Sequence, residues 1–304
     1  MRSILLATLF AVAFPAAAQE APRLSLPIDC APACLVQNLP DIDPTPDRAD
    51  ALGGRATYDG HKGTDLRVAD FAAMRKGVDV LAVAPGTVVR LRDGEPNGRF
   101  VPGRDCGNGV VLDHGGGWTT QYCHLAPGLA MKEGAKVERG ATLGRIGMTG
   151  RTQFPHVHVT LRKGRTVIDP WTGLPLGEAG GAPLWQDTEV IEKGVTGALA
   201  SGFAGGAVKG STIQTGRVAK VTRASPLVFY AQFMNVRRGD RIDVYVEGPD
   251  GPYISQQTGP LSKPQATRTV FVGRRSWKPG PYKGAARLYR DGRVVAEIAS
   301  EGTF

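Results

Sequence analysis

Histidine and cysteine are scarce in this 304-residue chain, and both are placed unevenly. The four cysteines are Cys30, Cys34, Cys106 and Cys123, and the five histidines all lie between 61 and 158. Chemistry that needs an imidazole or a thiolate is therefore confined to the first part of the chain. Long apolar runs are lacking as well. The longest, Ile4 to Phe14, falls short of the roughly 20 residues a membrane-spanning helix needs. Few stretches keep a 3.6-residue hydrophobic period, which argues against a helical bundle. Basic residues are not interleaved with aromatics, so nucleic acid is a poor partner for this chain.

What is present points to β structure. Gly 41 and Pro 22 are high for the length, and 41% hydrophobic with 21% charged residues is ordinary globular composition. Arg2, the apolar run and Ala16-Ala17-Ala18 read as a secretory signal over residues 1–18, with an A-x-A-like cleavage site. A periplasmic or secreted protein without a membrane span is expected.

Export permits disulfides. Cys30 and Cys34 would close a small loop. Cys106 and Cys123 flank an expected hairpin, Gly109–Asp113 and Trp118–Cys123 around three glycines, whose ends lie within disulfide reach. Pairings 30–34 and 106–123 are expected. A four-cysteine zinc site competes, but only the first pair has a suitable spacing.

Residues 19–55 are rich in Pro and Asp and read as an N-terminal arm. Short apolar alternations follow from 56 to 172: Val78–Val83, Gly86–Leu91, Gly109–Asp113, Thr119–Tyr122, Leu143–Ile146 and His156–Leu161, with one helical turn over Ala69 to Lys76. They predict a compact antiparallel-sheet domain. Residues 173–215 read as a loose linker. Strands then resume at Arg217–Thr222, Leu227–Met234, Arg241–Glu247, Thr267–Val272, Gly284–Tyr289 and Val294–Ile298, predicting an Ig-like β-sandwich over 216–304. Tyr230, Phe233 and Tyr245 read as its core. The fold class is all-β.

Charge is uneven too. Residues 19–185 hold 19 Lys and Arg against 18 Asp and Glu, whereas 186–304 hold 17 against 10. The basic C-terminal part fits either an anionic envelope surface or a solvated sandwich packed on the first domain.

Within 56–172, His156-Val157-His158 lies in an apparent strand, so its period of two turns both imidazoles to one side. Such a pair suits a metal, or is a hydrogen-bonded pair facing solvent. His61-x-x-x-Asp65 sits where a glycine-flanked turn runs into a strand. An Asp joining an imidazole pair is a normal ligand set for catalytic zinc, leaving one position open. His124 follows a strand in Tyr122-Cys123-His124-Leu125. His114, beside the hairpin turn, reads as structural.

Taken in order, His61-x-x-x-Asp65, Tyr122-x-His124-Leu125 and His156-x-His158 resemble the lysostaphin-type (LytM-like) zinc metallopeptidases, which cut peptide bonds in peptidoglycan. Gly134-x-x-Val137-x-x-Gly140 and Leu143-Gly144-x-Ile146-Gly147-x-x-Gly150 are also similar to that family. The resemblance implies Zn2+ held by His61, Asp65 and His158. His124 and His156 would be the catalytic pair beside the metal, with zinc-activated water as the nucleophile and the stem-peptide crosslinks of peptidoglycan as substrate. Which histidine is the base stays open. A silent activator or scaffold of other wall hydrolases, or a peptidase acting on a Gly-rich protein, are the alternative readings.

Departures from the family pattern are Val159 and Thr160 after the histidine pair, Cys123 before His124, and inserts at Phe71–Gly77 and Asp93–Asp105. Both inserts are expected as groove walls. Asp41, Asp43 and Asp47 of the arm either approach the metal in a self-inhibited state or are solvated loop residues.

Overall fold

The computed structural model describes residues 20–30 and 34–304, so the expected signal segment 1–18 lies outside the described residues. The first unit runs through β1 (Val36–Asn38), β2 (Thr64–Arg67), α1 (Phe71–Lys76), β3 (Asp79–Leu81), β4 (Gly86–Arg92), β5 (Asn108–Gly115), β6 (Trp118–Leu125), β7 (Lys136–Val137), β8 (Thr142–Arg145), β9 (His156–Lys163) and β10 (Thr166–Ile168). One antiparallel sheet has the order β1-β2-β9-β6-β5-β4-β7, with β10 also pairing β9, while β3 and β8 pair separately.

Strand β9 shows why these residues form this sheet. Val157, Val159 and Leu161 alternate into the core beside Leu66, Val110, Leu112 and Tyr122. The intervening His156, His158 and Thr160 must then face the other side of the sheet. In β2 the same alternation buries Leu66 in the core and places Asp65 and Arg67 on the histidine face. Asp65 pairs in register with His158, and Arg67 with His156.

The arm is more than a cover. Its β1 adds to β2 as an edge strand, and Leu24, Ile28 and Leu39 enter the core. Asp41 is buried and accepts hydrogen bonds from the backbone N–H of Gly60 and Ala49. Asp43 accepts from Thr45, and Asp47 pairs with Arg55. None of the three joins the histidine cluster. Both expected disulfides are present, Cys30–Cys34 and Cys106–Cys123.

The second unit contains α2 (Thr188–Gly194), β11 (Gly197–Ala204), α3 (Gly210–Thr215), β12 (Leu227–Val236), β13 (Arg241–Gly248), β14 (Gly251–Gln257), β15 (Gln265–Arg274), β16 (Pro281–Arg290) and β17 (Arg293–Thr303). A three-stranded sheet β11-β12-β15 packs on a four-stranded sheet β14-β13-β16-β17. Phe229, Ala231 and Phe233 of β12 share a core with Ile242, Val244 and Val246 of β13 and Leu288 of β16. Seven strands in a three-on-four sandwich fit the expected Ig-like architecture.

Four expectations need correction. The segment read as a linker to 215 contributes α2, β11 and α3, and β11 pairs with β12 along its length. Arg217–Thr222 alternates like a strand but forms none, because β12 already has β11 and β15 on its two edges. Tyr245 is 39% exposed, since the inward phase of β13 is set by Ile242, Val244 and Val246. Insert Phe71–Gly77 contains α1, which lies against α3 of the second unit. Asp93–Asp105, by contrast, is tied beside the site, where Met148 N–H donates to Asn97 and Arg151 N–H to the Asp105 carbonyl.

Just after β10, Asp169 is buried, and its Oδ2 has no hydrogen-bond partner. Burial pushes its carboxyl up to about 6, although Trp171 N–H donates to it, and the charge of Asp50 adds to the rise. A carboxyl raised above its unfolded value contributes most below the unfolded pKa and loses that contribution as pH rises through about 6. Asp169→Asn is therefore expected to gain roughly 3 kcal/mol on wild type at pH 8. The gain should disappear near pH 4. Denaturant midpoints of the two proteins at both pH values check this, and a gain of equal size at pH 4 would reject it.

Candidate active site

Four histidines and one aspartate converge on the face of the sheet opposite the core. Asp65 Oδ1 lies 3.2 Å from His61 Nε2 and 2.8 Å from His158 Nδ1, and the two imidazole nitrogens are 3.1 Å apart. His156 Nε2 is 3.6 Å from the same oxygen. The His124 ring stands 4.7 Å from that of His156 and 6.1 Å from that of His158, centroid to centroid. The structure thus brings together all five residues expected from the sequence. His114 stands apart and is structural, between the Pro85 carbonyl at 2.6 Å and Thr120 Oγ1 at 2.7 Å.

Each imidazole is oriented by the nitrogen that faces away from the cluster. His61 Nδ1 donates to the Leu39 carbonyl (2.8 Å), His124 Nδ1 to that of Thr149 (2.8 Å), and His156 Nδ1 to that of Phe154 (2.9 Å). A carbonyl only accepts, so these three Nδ1 atoms carry a proton, and in the neutral ring Nε2 keeps a lone pair. His158 is held the other way round, with Nε2 2.9 Å from Thr160 Oγ1 and Nδ1 turned to Asp65. The second oxygen of Asp65 accepts from Asn38 Nδ2 at 2.7 Å. Gly63 leaves room for this packing, because a Cβ there would meet the His158 ring at 2.7 Å.

Electrostatics divides the group in two. Burial alone would lower His61, but the Asp65 carboxylate beside it raises it overall. Asp65 is held well below the usual carboxylate range, its own burial outweighed by His61, His156 and His158. His124 is pushed down to about 3 by burial and by its histidine neighbours. His156 is also lowered, mainly by burial. The second pair is therefore neutral at neutral pH and able to take up a proton.

Among the described residues, His61, Asp65 and His158 form the group whose donor atoms could hold a metal ion. Two ligand atoms about 2.0–2.1 Å from a tetrahedral zinc stand about 3.3 Å apart. The separations here, 3.2, 3.1 and 2.8 Å, are all within about half an ångström of that. Two imidazole nitrogens and one carboxylate oxygen, each oriented by an outer hydrogen bond, suit zinc.

Sequence reasoning missed the supporting groups. Thr160 was within reach, since it shares a strand face with His158 two residues away. Asn38 was not, because it arrives from the arm through β1. Tyr58, whose ring lies 4.6 Å from that of His61, has no sequence signal either.

Residues 59–170 match the model of peptidase family M23. Peptidoglycan DD-endopeptidase ShyA of Vibrio cholerae is 35% identical over 134 residues, which are 44% of this chain and 27% of the relative. Cell division protein DipM of Caulobacter vibrioides is 33% identical over 124 residues, 38% of this chain and 19% of the relative. The similarity thus spans about a quarter or less of these curated relatives. The crystal structure of a putative peptidase M23 from Pseudomonas aeruginosa is 27% identical, covers 49% of each chain and has a TM-score of 0.32. The part of this chain that is similar to peptidase family M23 is thus residues 59–170.

Proposed function

We propose that the chain is an exported zinc metalloendopeptidase that hydrolyses the stem-peptide crosslinks of peptidoglycan. The observation that carries this reading is the convergence of His61, Asp65 and His158 beside two neutral histidines. His61 Nε2, Asp65 Oδ1 and His158 Nδ1 would hold the metal. Zinc bound there supplies Lewis acidity, polarising a scissile carbonyl and bringing the pKa of water to about 7.

The protein's own groups supply the proton handling. His124 and His156 each keep Nδ1–H on a carbonyl, so Nε2 is the atom free to accept a proton from the attacking water. Once protonated, that nitrogen becomes a donor, able to steady an oxyanion or pass the proton to the leaving amine. Both depressed histidines start in the form this requires. No serine or cysteine nucleophile is needed, and the four cysteines are occupied in disulfides.

The test is mass spectrometry of products from purified sacculi. The chain loaded with about one zinc should release cleaved crosslinked muropeptides, a chelator should stop it, and added zinc should restore it. A zinc-loaded chain that leaves every muropeptide intact would overturn the proposal. Activity confined to a Gly-rich protein would move the substrate elsewhere.

A further inference from the structure

Arg67 is a buried cation that the chemistry above does not use. It is 2% exposed, and among the described residues no carboxylate pairs with it. Burying a charge without a counter-ion is costly. Burial lowers its guanidinium only to about 10, so it stays charged at neutral pH. The charge of Asp70 opposes that fall, and the hydrogen bonds all go to neutral acceptors. Nη1 donates to Gln37 Oε1 (2.6 Å), Nε to the Val68 carbonyl (3.2 Å) and Nη2 to that of Ala69 (3.4 Å).

The plane of Arg67 has a specific target. Its Cζ lies 4.6 Å from the centroid of the Phe154 ring, within cation–π range. The other neighbour of Phe154 is His156, with ring centroids 4.5 Å apart and planes inclined by 31°. Phe154 also supplies the carbonyl that takes the Nδ1 proton of His156. Arg67, Phe154 and His156 therefore form one stack that ends on a proposed proton carrier.

The other end of the stack is anchored in the second unit. Gln37, which holds Arg67, donates through Nε2 to Asn235 Oδ1 and to the Ala266 carbonyl, both at 3.1 Å. Asn235 Nδ2 in turn reaches the carbonyls of Gln37 (2.8 Å) and Val195 (2.9 Å). Asn235 does this from a left-handed backbone, at φ 50°. That conformation is uncommon for a residue with a side chain.

We infer that Arg67 is a positioning residue for His156, and that the β-sandwich holds it in place through Asn235 and Gln37. The sandwich thereby acts on the catalytic sheet itself. The kinetic part of this inference rests on the endopeptidase reading, whereas the ring-orientation part does not.

Four variants test it: Arg67→Met, which keeps bulk and loses charge; Arg67→Lys, which can still place a cation over Phe154; Gln37→Glu; and Asn235→Gly, which removes the side chain yet suits the positive φ. With a purified muropeptide dimer, Arg67→Met should lose at least tenfold in kcat, with KM within twofold and one zinc retained. Arg67→Lys should recover part of the loss, and Asn235→Gly should lose about threefold. Imidazole 15N–1H spectra of the zinc-loaded chain need no substrate. They should show the His156 signal displaced in Arg67→Met and in Asn235→Gly, with those of His61 and His158 unmoved. A folded Arg67→Met with wild-type kcat and an unmoved His156 signal would overturn the inference. Should Arg67→Met not fold, unchanged kcat and unchanged spectra in both Asn235→Gly and Gln37→Glu would overturn it equally. A wild type that cuts no muropeptide, while the spectra move as expected, would reject the endopeptidase reading and leave the positioning role standing.

Discussion

His158→Ala is expected to lose zinc and peptidase activity together, whereas His124→Ala should keep the zinc and lose the activity. The two side chains are close, with ring centroids 6.1 Å apart, but their partners differ. His158 Nδ1 lies 2.8 Å from Asp65 Oδ1 and 3.1 Å from His61 Nε2, so its removal leaves two donor atoms where the proposed site needs three. His124 touches none of those atoms by hydrogen bond. Its ring donates instead to the Thr149 carbonyl.

Loss of a general acid–base group costs about 10²–10⁴ in rate. Hydrolysis of a muropeptide dimer by His124→Ala should fall by that much, with zinc stoichiometry unchanged. In His158→Ala the zinc should already be lost to a weak chelator that leaves the wild type loaded. Zinc content measured beside product release separates the two cases. Equal zinc loss in both variants would place His124 among the ligands and require the division of labour to be redrawn.

The part of the site that was legible in the sequence is the part built by local rules. In His156-Val157-His158, strand alternation alone sends both imidazoles to one face. His61 and Asp65 are four residues apart on a turn that enters β2. What stayed hidden depends on chain reversal over long distances. Asn38 reaches Asp65 only because a three-residue strand of the arm pairs with β2, and three residues are too few to show alternation. β11 reads Gly-Ala-Leu-Ala-Ser-Gly-Phe-Ala, without β-branched residues, and is a strand because β12 offers it an edge. Tyr245 was misplaced by one residue of phase, which in a strand means the opposite face. Tyr230 is buried as expected, but it lies in a separate small cluster with Ala204, Val208 and Ile213.

Removing the Cys106–Cys123 disulfide should disarm His124 without touching the metal ligands. His124 sits at φ 66°, a left-handed conformation that costs a residue with a side chain about 1–3 kcal/mol. Three contacts hold it there. The preceding residue is cross-linked to Cys106, the Cys106 carbonyl accepts His124 N–H at 2.8 Å, and the Thr149 carbonyl accepts Nδ1–H. Thr149 is itself seated against Gly107, where a Cβ would come within 2.4 Å of it. A cross-link across a separation of 17 residues stabilises by about 3 kcal/mol. That is comparable to the backbone cost it opposes.

Cys106→Ser with Cys123→Ser is therefore expected to lower the melting temperature and to reduce kcat more than tenfold, with one zinc still bound. His61, Asp65 and His158 are positioned by β2 and β9 and should stay in place. Serine variants are the right probe, because a thiol reductant would itself compete for zinc. Cys30→Ser with Cys34→Ser supplies the control: it should destabilise the arm and leave kcat within twofold. If the 106/123 variant remained folded and fully active, the left-handed backbone at His124 would have to be held by the Thr149 and Cys106 carbonyls alone. Gly107→Ala, which forces Thr149 away, would then become the variant that removes activity.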